Sequence, residues 1–313
     1  MPYESIFRPD LFAGTVHIVT GGGSGIGRCT AHELSGLGAT VALVGRKLDK
    51  LQAVAAEIES SGGTVQTFAC DIREEAQVQS TVRAIRESLG RIDGLVNNAG
   101  GQFAAPLAAI NQKGWETVVR TNLTGGFLMA RECYTQWMSD HGGAIVNIVA
   151  DFWGSMPGMG HSGAARAGMV NFTETAAVEW AQSGVRVNAV APGWIASSGL
   201  DQYPPTIKRY LKFLPHAVPL QRLGTEAEVS AAIVFLLSPA AGFISGSCLR
   251  VDGAAPNTKL ASPWSAMQHI LSGGGEPTDE RPVWPLPRHS KSIPWNGFHL
   301  AKTPRALDGD GDE

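Results

Sequence analysis

The run Thr20-Gly21-Gly22-Gly23-Ser24-Gly25-Ile26-Gly27 closes an apolar stretch, Val16–Thr20, and opens a helical pattern at Gly25. Glycine at 21, 25 and 27 lets the chain turn tightly, brings backbone close to a pyrophosphate and packs the helix against a sheet. The helix start offers free N–H groups and the positive end of its dipole to phosphates. A Gly-rich stretch alone is weak evidence, and its other reading is a turn with no ligand. Its place between a strand and a helix is the confirming context for a dinucleotide.

Working outward, residues 14–253 alternate strand, turn and helix, the pattern of a parallel sheet with helices on both faces. Val16–Thr20, Thr40–Gly45, Thr64–Ala69, Gly94–Asn97, Ala144–Val149, Val185–Ala191 and Ser247–Val251 read as strands. Several are short runs of Val, Ile and Leu, as suits strands buried on both faces. Helices are expected over Gly25–Leu37, Leu48–Ser60, Glu74–Leu89, Trp115–Ser139, Ser162–Gln182 and Glu226–Leu237. No repeat at a fixed period is apparent.

At residue 254 the composition changes. The stretch beyond it holds eight of the 18 prolines, the tryptophans Trp264, Trp284 and Trp295, and no strand-like run. Such sequence makes no core of its own. The division expected is therefore one domain over 1–253 and an irregular extension over 254–313. Its tryptophans suit a segment lying on the main domain or a neighbouring subunit; a mobile tail is the other reading.

The chain has 313 residues, of which 43% are hydrophobic and 17% charged, an ordinary globular composition. A net charge of -3 gives no basic footprint for nucleic acid or an anionic membrane. No apolar run has bilayer length, and MPYESIFRPDLF lacks a signal pattern. Cys29, Cys70, Cys133 and Cys248 are scattered without a CxxC pair. They read as reduced thiols of a cytoplasmic protein rather than as metal ligands.

Five motifs in order carry a family resemblance: TGGGSGIG, then Cys70-Asp71-Ile72, then Asn97-Asn98-Ala99-Gly100, then Asn122 in RTNLTGGF, then Pro192-Gly193 in NAVAPGWI. Over residues 14–253 the chain resembles the short-chain dehydrogenase/reductase family. The resemblance implies a single Rossmann-type, doubly wound, seven-stranded parallel sheet and a nicotinamide cofactor. It implies that Thr20, Gly21, Gly23, Ser24, Gly25, Ile26 and Gly27 hold the phosphates and that Asp71 and Ile72 meet the adenine. Asn98, Ala99 and Gly100 would line the middle of the cleft, while Pro192, Gly193, Ile195 and Ser197 close the chain over the nicotinamide.

The second strand ends Val44-Gly45-Arg46-Lys47, without the carboxylate that accepts ribose hydroxyls in NAD enzymes of this shape. Arg46 and Lys47 instead offer donors to a 2′-phosphate, which points to NADP(H). The plainer reading is two solvated cations at a helix start.

The reaction centre departs from the family pattern. The usual Tyr-x-x-x-Lys pair falls on Ser162 and Arg166 in His161-Ser162-Gly163-Ala164-Ala165-Arg166, and the usual Ser on Val149 or Ala150. Asn122 alone remains. Arg166 can hold a ribose or an oxyanion but cannot pass on a proton, and a Ser hydroxyl is a weak acid. Reduction of a ketone makes an alkoxide, which needs a good acid; hydride addition to a conjugated C=C makes an enolate, which fixed donors can hold. The candidate proton donors are Ser162, His161, Asp151 and Ser155. In turn they read otherwise as a helix cap, a structural histidine, a turn residue and a loop residue.

The segments Asn97–Phe103, Lys113-Gly114-Trp115, Thr121–Gly125 and HSGAARAG are similar to the peroxisomal trans-2-enoyl-CoA reductase and 2,4-dienoyl-CoA reductase branch. That resemblance implies an NADPH-dependent reductase of a conjugated C=C, in an α,β-unsaturated acyl-CoA or a bulky enone. Two alternatives stay open: a dehydrogenase or ketoreductase for a terpenoid- or steroid-like substrate, and a catalytically silent NADP(H) sensor. Trp194–Leu220, with Pro204, Pro205 and Pro215, is the expected lid. The family also implies a homo-oligomer joined through the two long helices, with Val170, Phe172 and Trp180 consistent with such a contact.

Overall fold

The computed structural model describes residue 5, residues 7–197, residue 215 and residues 218–257. Most of the expected lid and the tail from 258 onward, with its three tryptophans, lie outside the described residues.

The first half of the chain is β1 (Val16–Thr20), α1 (Gly25–Gly36), β2 (Thr40–Gly45), α2 (Leu48–Ser60), β3 (Thr64–Ala69), α3 (Glu75–Leu89) and β4 (Gly94–Asn97). A long helical rod follows: α4 (Gln112–Val119), a wide π turn (Arg120–Thr124), α5 (Gly125–Cys133), a second π turn (Tyr134–Met138) and α6 (Ser139–His141). Then come β5 (Gly143–Ile148), α7 (Gly160–Glu179), β6 (Val185–Pro192), β7 (Ile195–Ala196), β8 (Gly224–Thr225), α8 (Glu226–Leu237) and β9 (Cys248–Val251).

Seven strands form one parallel sheet in the order β3-β2-β1-β4-β5-β6-β9. Strand order reverses beside β1, where β1 pairs with both β2 and β4, so a crevice opens at the carboxyl ends of these strands. Successive strand residues point to opposite faces. Val19, Val41 and Leu43 join Leu34, Leu51, Ile58 and Ile233 in one core, while Ile18, Ala42 and Val44 join Val82, Ile85, Met129 and Cys133 in the other. Every residue of β1 is buried, which is why its sequence is apolar without alternation.

All seven expected sheet strands are present with ends shifted by a residue or less. The helices differ more. The rod begins at Gln112, capped by Asn111 accepting from the Gly114 N–H at 2.8 Å, and its first turn is too polar to announce itself. Helix α7 begins at Gly160, with Met159 in the cap position, so Ser162 lies inside the first turn and does not cap it. The short β7–β8 ribbon has no signal in the sequence. Thr225 and Glu228 close a capping box at the start of α8. Among the described residues, no helix is long and apolar enough to cross a membrane.

Candidate active site

The end of the crevice beside α1 is made by backbone. Gly21 has a φ of +67°, and a Cβ there would sit 2.9 Å from Asn98 Nδ2. A Cβ on Gly27 would lie 2.5 Å from the Gly21 carbonyl oxygen, so the turn and the first turn of α1 fit only as glycines. Thr20 braces them from behind: its hydroxyl donates to the Val96 carbonyl and accepts from the N–H groups of Asn98 and Ala99, both at 3.0 Å. Asn98 Nδ2 donates to the Thr20 carbonyl at 2.9 Å. Ser24, extended and making no side-chain cap bond, leaves the N–H groups that begin with Gly25 and Ile26 open, and the first turn carries no acid. A cleft of about 320 Å³ lies in front, with Gly23, Ser24, Arg46, Asp71 and Gly100 in its wall.

At the outer edge of this cleft Arg46 and Lys47 are exposed, and among the described residues their side chains make no hydrogen bond or ion pair. Asp71 is different. Arg73 forks onto its carboxylate, with Nε 2.9 Å from Oδ1, and that bond holds the Asp71 pKa below the usual range. Arg73, which sequence reasoning passed over, adds a further cation to the cleft wall beside Arg46, Lys47 and Lys50. Ile72 packs behind Gly125 and is buried.

The other end is made by side chains. Asn122 lies in the π turn of the rod and is buried. Its Oδ1 accepts from the Gly101 N–H at 2.9 Å and its Nδ2 donates to the Gly101 carbonyl at 3.0 Å, so the whole amide is spent on pinning the Gly100-Gly101 turn. Arg166 reaches under that turn, where a Cβ on Gly100 would be 2.5 Å from Nη2. One Arg166 nitrogen, Nη1, donates to the Ile148 carbonyl, and Nε is buried with no hydrogen-bond partner among the described residues. Among the described residues no carboxylate pairs with this guanidinium, and burial lowers its pKa to about 10, which leaves it charged at neutral pH.

Ser162 is wholly buried, and its hydroxyl donates to Gln102 Oε1 at 2.7 Å. Gln102 was missed in the sequence, although it stands two residues beyond the Asn97–Gly100 motif. His161 Nδ1 accepts from the Ser162 N–H at 2.9 Å, and Nε2 is buried with no hydrogen-bond partner among the described residues. The ring stands edge-on to Phe103, 4.4 Å between centroids. Ser162, Arg166, Asn122 and Gly100 thus come together, with His161 alongside.

Among the described residues no hydrogen bond or ion pair joins Asp151 to them. That residue follows β5, donates its N–H to the Pro192 carbonyl at 3.2 Å and shares its surroundings with Asp252 and Arg250. Gly193 is clamped by its N–H to the Val251 carbonyl at 3.0 Å. Ile195 is buried in the small ribbon, and Ser197, half-buried, is the last residue described before 198–214, which lie outside the described residues. Ser155 is exposed in its loop with a φ of 70°.

This geometry has known counterparts. A family model described as enoyl-(acyl carrier protein) reductase matches residues 21–254. A probable 2,4-dienoyl-CoA reductase of Bacillus subtilis (strain 168) is 36% identical over 239 residues, covering 75% of this chain and 94% of that one. The peroxisomal 2,4-dienoyl-CoA reductase of Danio rerio is 36% identical over 257 residues, covering 81% and 85%. The chain belongs to the short-chain dehydrogenase/reductase family. Among solved structures of that family, a citronellol catabolism dehydrogenase of Pseudomonas aeruginosa PAO1 is 62% identical with a TM-score of 0.72, covering 81% of this chain and 100% of that one. Levodione reductase is 31% identical with a TM-score of 0.74, covering 79% and 100%. As a short-chain dehydrogenase/reductase, the chain is an NAD(P)-dependent oxidoreductase.

Proposed function

We propose that the chain reduces a conjugated C=C bond with NADPH, in an α,β-unsaturated acyl-CoA or a bulky enone. The observation that carries this reading is the pair on α7. A buried, charged Arg166, whose Nε has no hydrogen-bond partner among the described residues, and a Ser162 hydroxyl stand where the family has Lys and Tyr. Arg166 can hold a delocalised enolate oxygen by fixed donors, but neither it nor a Ser162 hydroxyl committed to Gln102 can deliver a proton to an alkoxide as Tyr and Lys do. The similarity to 2,4-dienoyl-CoA reductases supports a CoA thioester as substrate.

The cleft suits the cofactor. Gly21 to Gly27 with Ser24 would take the pyrophosphate and Asp71 with Ile72 the adenine. Arg46 and Lys47 would take the 2′-phosphate, Asn98 to Gly100 and Arg166 the nicotinamide ribose side, and Pro192, Gly193, Ile195 and Ser197 the nicotinamide. Bound NADPH supplies a hydride to the substrate β-carbon. Asn122 fixes the turn that roofs Arg166, and Arg166 holds the ribose and the developing oxyanion. Around the substrate side Phe103, Trp153, Trp194 and Leu220 expose apolar surface, which suits a long aliphatic tail. Exposed Phe127 and Val178 on the long helices support assembly with further copies of the chain. Four free cysteines, three of them buried, accord with a reducing compartment such as the cytoplasm.

A second reading is an alcohol dehydrogenase for an acyclic terpenoid, favoured by the 62% identity to a citronellol catabolism dehydrogenase. The test is the absorbance of the nicotinamide with two panels: NADPH with medium-chain 2-enoyl-CoAs and enones, and NADP+ with terpenoid alcohols. Turnover of the first panel alone supports C=C reduction, and turnover of the second alone replaces it with the terpenoid reading. Tight NADPH binding with no turnover of either leaves a nicotinamide sensor.

A further inference from the structure

The Ser162 hydroxyl is wholly buried, so a substrate atom cannot reach it directly. A serine is shorter than a tyrosine by a whole ring, and its oxygen lies that much deeper in the wall. One side chain bridges the gap. Gln102 is exposed among the described residues, and its Oε1 accepts from the Ser162 hydroxyl at 2.7 Å.

This amide has one end fixed and the other free. Oε1 is turned inward to Ser162, while Nε2, with two N–H groups, makes no hydrogen bond among the described residues. The turn that carries it is anchored on both flanks. The preceding Gly101 has its N–H and its carbonyl tied to the Asn122 amide at 2.9 and 3.0 Å. The following Phe103 stands edge-on to His161, 4.4 Å between centroids. Further along, the Ala105 N–H donates to the Gly158 carbonyl at 2.8 Å, just ahead of α7. Ordering an exposed side chain normally costs binding energy; here the flanking backbone and the Ser162 bond have already fixed it. Its chain neighbours line both sides of the site. Gly100 is in the wall of the cofactor cleft and roofs the Arg166 guanidinium, while Phe103 exposes apolar surface.

We propose that Gln102 Nε2 is the hydrogen-bond donor to the substrate's carbonyl oxygen, and that Ser162 is the positioning residue that aims and polarises it. This rests on the C=C reduction proposed above. A donor on Oε1 draws electron density from the amide nitrogen, which makes its N–H groups stronger donors. As hydride forms the new C–H bond at the β-carbon, the π pair moves toward the carbonyl. Charge gathers on the carbonyl oxygen, and Gln102 holds it there. Gln102 gives up no proton: the α-carbon takes one from solvent water. One hydride and one proton are consumed for each saturated product.

The test compares Gln102→Glu, which keeps an acceptor for Ser162 but has no N–H, with Gln102→Met, of similar length, and with Ser162→Ala. The probe is a medium-chain 2-enoyl-CoA labelled with a heavy isotope at the thioester carbonyl. Its carbonyl stretch is read by difference infrared spectroscopy in the complex with NADP+, where no hydride is available. The band should lie lowest in the unaltered protein, highest in the two Gln102 variants, and between them in Ser162→Ala. With NADPH, both Gln102 variants should lose kcat by roughly 10²-fold with KM little changed, the usual cost of one donor to an oxyanion. Ser162→Ala should lose roughly fivefold. Adding it to Gln102→Met should cost nothing more, because the serine acts only through the glutamine. A probe that binds with the lowered band yet is never reduced sinks C=C reduction and leaves Gln102 as the carbonyl donor. A probe that is reduced, with one band position in every protein, sinks Gln102 alone. Full activity in Gln102→Glu, or a probe that does not bind, also overturns the proposal.

Discussion

The two ends of the cofactor crevice are built by opposite means. At the end proposed for the phosphates the wall is backbone: glycine turns, open N–H groups and a helix dipole, with the cations exposed at the rim or forked onto Asp71. At the end proposed for the reaction the wall is side chains, and they are buried: Asn122, His161, Ser162 and Arg166, two of which leave a nitrogen with no hydrogen-bond partner among the described residues. Phosphates bring charge enough to be held at a wet surface. A developing enolate needs donors fixed in a dry site, where each counts for more and an idle one costs the fold. The comparison holds only if the unpartnered groups at the reaction end differ in kind from those that simply pack.

His17, at the amino end of the sheet, is the control for that distinction and gives the largest expected effect. It is wholly enclosed, with Nε2 on the Thr15 hydroxyl at 3.0 Å and Nδ1 without a partner against Gly94. Burial above all, with Arg91 adding to it and Asp93 opposing, lowers its pKa from 6.5 to about 4. The folded state therefore refuses a proton that the unfolded chain accepts. Its stability is complete above pH 6.5 and falls as pH drops toward about 4, by about 3 kcal/mol in all. Urea midpoints measured between pH 7 and pH 4 should fall less steeply in His17→Asn than in the unaltered protein, with NADPH affinity at pH 7 alike in both. Equal slopes would remove His17 from acid unfolding and, with it, the contrast between packed and functional orphan groups.

Arg166 should behave the other way. Arg166→Ala removes a hydrogen bond from a charged group, worth about 1.5–3 kcal/mol, so kcat/KM should fall roughly 10- to 150-fold. Stability should change little by comparison, because the guanidinium is buried without a carboxylate and its removal relieves a desolvation cost that offsets the lost packing. Arg166→Lys should keep NADPH binding and lose the fork over Gly100. A urea midpoint that collapses in Arg166→Ala with kcat/KM untouched would make the residue a structural one.

What the sequence made legible follows the same division. Strands buried on both faces, such as Val16–Thr20, and glycines that no other residue can replace, such as Gly21 and Gly27, leave local marks. Ser162 and Arg166 were found because the family resemblance fixed their places. Gln102 on Ser162 and Asp252 beside Asp151 join residues 60 and about 100 positions apart, through turns whose shape only the packed sheet determines. The start of α7 was read two residues late because Met159-Gly160 carries no capping side chain, so the first polar residue, Ser162, took a role that the structure gives to none.

The smallest expected effect tests the phosphate end, where the charges sit in water. Arg46 and Lys47 are exposed and unpaired among the described residues, with Arg73 turned to Asp71 beside them. Two solvated cations attract a 2′-phosphate, yet water and salt screen them, so each is worth far less than Arg166 in its dry pocket. Arg46→Ala should weaken NADPH binding by about 1 kcal/mol, roughly fivefold, while NADH affinity stays the same. Raising the salt from 50 mM to 500 mM should shrink the preference for NADPH in the unaltered protein by a similar factor, as the Debye length contracts from about 14 Å to about 4 Å. Titrating both cofactors by quenching of protein fluorescence at the two salt concentrations reads both effects in one experiment. Equal affinity for NADH and NADPH before any substitution would show that the rim does not select the phosphate, and a preference that salt leaves untouched would place its source in a buried group rather than at Arg46.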